Sequence, residues 1–134
     1  MTVQHSDAVR NARLDAIETT IGVTPYLDIR TGAQPADCSQ ADGGTELTHM
    51  ALPSDWLAVA ATGTKAKIGT WSDAAVAAGT AGHYRLKNSG DTVCHEQGSV
   101  TATSGGGDLE LDNIVLANAQ TVTISTWTYT EGNP

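Results

Sequence analysis

The side chains able to do chemistry are few. Four histidines, two cysteines and one short run of alternating carboxylates are where a metal or catalytic centre would have to be built. His83 and His95 both fall within residues 81–97, AGHYRLKNSGDTVCHEQ. A tight turn at Asn88-Ser89-Gly90-Asp91 sets Lys87 opposite Thr92, Leu86 opposite Val93, Arg85 opposite Cys94, Tyr84 opposite His95 and His83 opposite Glu96. In that register Tyr84, Leu86, Val93 and His95 share one face, and His83, Arg85, Lys87, Thr92 and Glu96 the other. Successive strand residues point apart, so the two histidines cannot ligate one metal, and Cys94-His95 cannot form a nucleophile–base pair. The expected arrangement is a cross-strand His83–Glu96 pair and a half-buried His95. His5 and His49 have no partner at ligand spacing. Cys38 lies in a loop with no basic neighbour in sequence to lower its pKa. Asp108, Glu110 and Asp112 line one strand face, but calcium requires converging oxygens from a loop. A solvated edge that resists strand-to-strand association is the expected role. Ser104-Gly105-Gly106-Gly107 lacks the following Lys and helix of a phosphate cradle, and no hydrolase, metalloprotease or dinucleotide motif occurs. The residues therefore predict no catalytic centre, no metal and no cofactor.

The elements that must carry these residues are mostly strands. Residues 6–21 are the one helix candidate: Ser6 is a good N-cap, Asp7 suits the first turn and Gly22 is a stop signal. Leu14, Ile17 and Ile21 fall on one face, with Arg10 interrupting the stripe. Such a helix either covers its own domain or docks on a partner. Residues 26–31 alternate as a half-buried strand. Residues 32–44, GAQPADCSQADGG, form a loop long enough to be functional or mobile. Strands are expected at 45–52 and 65–71, in the hairpin, at 98–103, 108–112 and 114–116, and as one long final strand at 120–130. In that last strand Val122 and Ile124 face one way and Trp127 and Tyr129 the other. Residues 72–79 are ambiguous between a strand and a helical turn. About seven or eight short strands with frequent turn signals predict a mainly β protein, a jelly-roll-like antiparallel β-sandwich with a short N-terminal helix. The expected division is a helical arm over 1–22 and a β domain over 23–134.

The chain has 134 residues, a length that fits one domain. It contains no Phe, and only seven Lys and Arg stand against fifteen Asp and Glu, a net charge of −8. This balance offers no basic footprint for nucleic acid and would be repelled by an anionic membrane surface. It suits either simple solubility or docking on a basic partner. The first residues show no apolar signal core and no run is long enough to span a membrane, so synthesis in the cytosol is expected, with Cys38 and Cys94 reduced. Trp56, Trp71 and Trp127 could stack on sugars, but tryptophans scattered this way usually anchor a core.

Several stretches resemble a known family: LDAIETTIG from Leu14, LDIRTGAQPADCSQADGGTEL from Leu27, LPSDW, GTW, and GTAGHYRLKNSGDTVCHEQGSVTAT followed by the Gly run. Together they are similar to the capsid cement (decoration) proteins of short-tailed phages, of the Bordetella phage type. The resemblance implies a jelly-roll sandwich that pairs with itself and clamps neighbouring major capsid subunits from outside. It implies a virion protein on the capsid exterior, made in the host cytoplasm, with no catalytic motif to carry over. The expected capsid or dimer contacts are Arg10, Leu14 and Ile17 of the helix, the 32–44 loop, and Trp127 or Tyr129. The alternative is a tail-fibre or carbohydrate-binding β-sandwich module.

Overall fold

In the computed structural model, which describes residues 2–133, the protein is mainly β with one helix and several antiparallel sheets. Helix α1 spans Asp7–Ile21; Ser6 accepts from the Val9 N–H, and Gly22 ends the helix at φ 89°, where a side chain would be strained. The strands are β1 (Tyr26–Thr31), β2 (Glu46–Ala51), β3 (Thr64–Ala66), β4 (Ser72–Ala74), β5 (Gly79–Lys87), β6 (Cys94–Ala102), β7 (Leu109–Leu111), β8 (Val115–Leu116), β9 (Thr121–Thr123) and β10 (Thr128–Thr130). The main sheet has the order β2-β1-β5-β6-β7, with β8 paired to the start of β5. Two small antiparallel ribbons, β3 with β10 and β4 with β9, complete the strand pairing.

One face of the main sheet carries Leu27, Ile29, Met50, Tyr84 and Leu86, brought side by side by the β2–β1–β5 register. The core is closed over them by Trp56, Trp71, Leu116, Val122, Ile124 and Trp127. With no Phe available, the tryptophans bridge the layers as a chain of tilted and edge-on rings: Trp56 to Trp71 at 6.0 Å, Trp71 to Trp127 at 5.5 Å, and Trp127 to Tyr84 at 5.1 Å. Two of the indole N–H groups donate within the chain, Trp56 to the Gly22 carbonyl and Trp71 to that of Ile68.

The helix lies on its own domain and does not project as an arm. Leu14 and Ile21 are buried, and Ile17 packs on the core edge. Lys65, on β3, reaches up from beneath to Asp15 at 2.7 Å and Glu18 at 2.9 Å. Arg10 lies over Gly63 and donates to the Thr62 and Glu131 carbonyls. The first and last described segments meet: the His5 N–H donates to Asn133 Oδ1, Asn133 donates back to the His5 carbonyl, and Arg13 pairs with Glu131 at 2.6 Å.

Three sequence expectations need correction. The hairpin turn is longer than expected: Lys87 pairs with Cys94, Leu86 with Glu96, Arg85 with Gln97, Tyr84 with Gly98 and His83 with Ser99. Asn88 organises residues 88–93, its Oδ1 accepting from the Thr92 and Val93 N–H groups, and His95 is the extra residue of a bulge. The bulge carries Glu96 to the Tyr84 face and leaves His95 exposed, so the His83–Glu96 pair does not form. The final strand is two strands, β9 and β10, and the irregular stretch between them rotates Trp127 into the core alongside Val122 and Ile124. Lastly, β7 runs parallel to β6, unlike the antiparallel pairs elsewhere, after a tight glycine-containing return at Ser104-Gly105-Gly106-Gly107.

Candidate functional site

The outer face of the main sheet is the unusual part of the molecule. Tyr26, Asp28 and Arg30 of β1, His49 of β2 and His83, Arg85 and Lys87 of β5 all point to it. A face of this composition belongs in water, yet Asp28 and His83 are 0% exposed and Arg85 is 1% exposed. The 32–44 loop lies across them as a strap. Its start is brought down by glycine: any Cβ on Gly82 would stand 2.3 Å from the Gly32 carbonyl oxygen. His83 Nδ1 lies 2.9 Å from that same oxygen; because a carbonyl only accepts, Nδ1 carries the proton.

Arg85 is the central fastening. Its Nη1 donates to the Gln40 and Ala41 carbonyls at 3.0 and 3.2 Å, its Nη2 to the Cys38 carbonyl at 2.8 Å, and Asp42 stands 3.4 Å away. A planar five-donor group suits a curved run of carbonyls; an ammonium would not span it. Arg30 Nε donates to the Gly43 carbonyl at 2.8 Å, and Gln97 to the Pro35 carbonyl at 2.7 Å. Lys87 makes a short contact to Asp42 and further contacts to Asp91 at 3.0 Å and Asp28 at 3.4 Å. Burial works against the charge on Asp42, but the Lys87 hydrogen bond and the nearby Lys87, Arg30 and Arg85 charges outweigh it and hold its pKa below the ordinary value. Burial also opposes the charge on Lys87, and its Asp42 and Asp91 hydrogen bonds outweigh that, raising its pKa.

Beside the strap, Asp28, Glu46 and His49 bring one ligand atom each to within 4.8 Å of one another. His49 Nδ1 sits 2.8 Å from Asp28 Oδ1, and its ring stacks on Tyr26 at 4.0 Å. Asp28 Oδ2 is buried without a hydrogen bond. Arg30 Nη1 stands 3.3 Å from Glu46 and 3.9 Å from this Asp28 oxygen, and Lys87 Nζ 3.4 Å from it. The place of a divalent ion is thus held by two side-chain cations. A divalent ion among these oxygens would stand within a few ångströms of both cations, a like-charge repulsion on the order of several kcal/mol even at an effective dielectric near 20, so metal entry would require moving them. Glu46 has its pKa raised by burial and by the Asp28 charge. The cluster is an ion network that holds the strap and the sheet together. Cross-strand register assembles it, which is why no motif revealed it.

Cys38 of the strap and Cys94 of β6 meet at the end of this network, with their sulfurs 3.0 Å apart. Both border an open recess of about 590 Å³ lined also by Asp42, Arg85 and Lys87. Burial, then the Cys94 hydrogen bond, push the Cys38 thiol up to about 12.

The expected contact residues disperse. Arg10 is pinned to three groups of its own chain, and Leu14 and Trp127 are buried, so none of the three is a free surface anchor. Trp56 and Trp71 are 0% exposed and have no face to offer a sugar. Ile17 and Tyr129 keep some surface, and they flank Glu96, which borders a recess on each side. Glu96 accepts from the Tyr84 and Tyr129 hydroxyls, 2.7 Å each; burial first, then the Glu96 charge, push both phenol pKa values up, so both remain donors. Asp108 accepts from the Ser99 N–H and hydroxyl, and Glu110 from the Ser104 and Gly106 N–H groups. These carboxylates clamp the tight return between β6 and β7, and do not converge on a common point.

No family model, curated protein or solved structure matches this chain.

Proposed function

We propose that the protein is a capsid cement protein that binds the outside of a phage shell, as a homodimer, and clamps neighbouring major capsid subunits. The observation that carries this reading is how charge is divided between inside and outside. Every lysine and arginine except Lys67 is ion-paired to a carboxylate of the same chain, and Lys67 is turned onto the Gly69 carbonyl and the Trp71 ring. Of the carboxylates outside these pairs, Asp37, Asp55, Asp73, Asp108, Glu110 and Asp112 are exposed, and Glu96 is half-buried under two tyrosine hydroxyls. The exterior is therefore acidic, with few free cations to offset its carboxylates, and suits a partner with a basic face. The side around Ile17, Glu96 and Tyr129, bordered by Asp108 and Glu110, is the proposed contact.

A binder of this kind stabilises the assembled shell by mass action, because it engages the shell and not its separated subunits. Repetition over a lattice then multiplies weak single contacts. The resemblance of the stretches quoted above to cement proteins supports the same reading. The test is quantitative mass spectrometry of purified virions: a copy number near that of the shell protein is expected, whereas its absence from heads would end the proposal. The sugar-binding alternative loses its anchors, since the tryptophans are interior.

A further inference from the structure

We propose that Cys38 and Cys94 form a redox-closed latch: an intrachain disulfide that ties the 32–44 strap to β6. Two independent features converge on it. The sulfurs lie 3.0 Å apart although the residues are separated by 56 positions in sequence, and both are only half-buried beside an open recess that admits a small oxidant. The backbone around each is held by other groups. Arg85 holds the Cys38 carbonyl at 2.8 Å, and Cys94 is paired with Lys87 in the sheet. Closing the bond therefore asks for a small sulfur displacement, with no rearrangement of the strap. The latch does not depend on the capsid reading.

The reaction balances with a small-molecule disulfide as oxidant. One cysteine, as thiolate, attacks oxidised glutathione and releases one glutathione thiol; the second attacks the mixed disulfide and releases the other. Two S–H bonds are lost, one S–S bond forms, and two electrons and two protons end on the two glutathiones. In a reducing cytosol the pair stays open, and outside the cell it closes.

The experiment uses the full chain, purified under reductant and moved without denaturant into buffer containing oxidised glutathione. The expected product is a single, uncrosslinked chain lighter by two hydrogens, with no titratable thiol, a higher thermal midpoint and slower cleavage of residues 36–44 by protease. Cys38→Ser should retain a single thiol or a glutathione adduct and show no such rise in midpoint. Should the variant fail to fold, the wild-type readings decide alone, peptide mapping reporting whether residues 38 and 94 are joined. Persistent free thiols, a stable adduct on wild type, or a disulfide between two chains would each overturn the proposal.

Discussion

Lys65 and Arg85 show how a single side chain can hold a larger piece in place. Lys65 is buried while its partners Asp15 and Glu18 remain partly in water. The two halves of this contact should respond unequally to mutation. Lys65→Met leaves two carboxylates that water can solvate, and should cost about 1–2 kcal/mol; removing Asp15 and Glu18 together strands a buried ammonium, and should cost about 3–5 kcal/mol. Urea denaturation of the two variants checks the order. For Arg85, replacement by Met should cost about 2–4 kcal/mol, and Lys should recover less than half of it because the three carbonyls need the guanidinium fork. Amide exchange at residues 38–42 should rise in both. The pH dependence follows from the same contacts. Asp42 and Asp15 have depressed pKa values, the latter chiefly through the Lys65 hydrogen bond. Their contribution is present above the unfolded carboxylate value near 3.9 and is lost as pH falls through the folded one. Lys87 has a raised pKa, so its contribution is present below about 10.4 and is lost as pH rises through its folded value. Glu46, raised by burial and Asp28, works in the opposite sense in acid and offsets part of the loss. Strap protection, followed by proteolysis, should therefore be full from about pH 4 to about pH 10 and decline only beyond those limits, as pH falls through the folded value of Asp42 or rises through that of Lys87.

At the scale of elements, the strap, the hairpin and the helix behave differently from one another as objects of sequence reading. The helix was legible to within a residue, because Ser6 and Gly22 act locally and say nothing that packing can overrule. Strands β1 and β7 were legible by alternation, and β2 as a strand ended by Pro53 although apolar residues fall on both of its faces. The hairpin was legible as an element but not in register: Asn88 accepts from residues beyond a tight turn, and the His95 bulge then exchanges the faces. One unpaired residue is enough to do this, since side-chain direction has a period of two. The break between β9 and β10 hid the placement of Trp127 in the same way. The charged network under the strap was the least legible, because Asp28, His49, Arg85 and Asp42 are joined by strand order and a loop crossing, neither of which has a signature in linear spacing. A prediction belongs here: Gly82→Ala should lift the strap, since even one methyl meets the Gly32 backbone. Exchange protection across residues 32–44 should fall while that of the β9–β4 ribbon stays unchanged.

At the scale of the whole molecule, the proposed shell binding rests on the division of charge. If the protein docks its acidic exterior on basic shell subunits as proposed, that binding should weaken steeply as salt rises past the range where the Debye length is about 10 Å. Co-sedimentation with shells over a salt series checks this. Insensitivity to salt would point to an apolar contact instead. Charge reversal at the exposed Asp112, which sits away from the folded ion network, should weaken that binding without moving the thermal midpoint. The meeting of the opening and closing segments at His5, Arg13, Glu131 and Asn133 has its own consequence. Segments joined ahead of His5 and beyond Asn133 leave the fold from adjacent points, so a cargo attached on both sides would be carried as a side-by-side pair. By the same token, a circular permutant whose old ends are joined by a few glycines, reopened at the exposed Ser89-Gly90 tip, should keep the entire architecture.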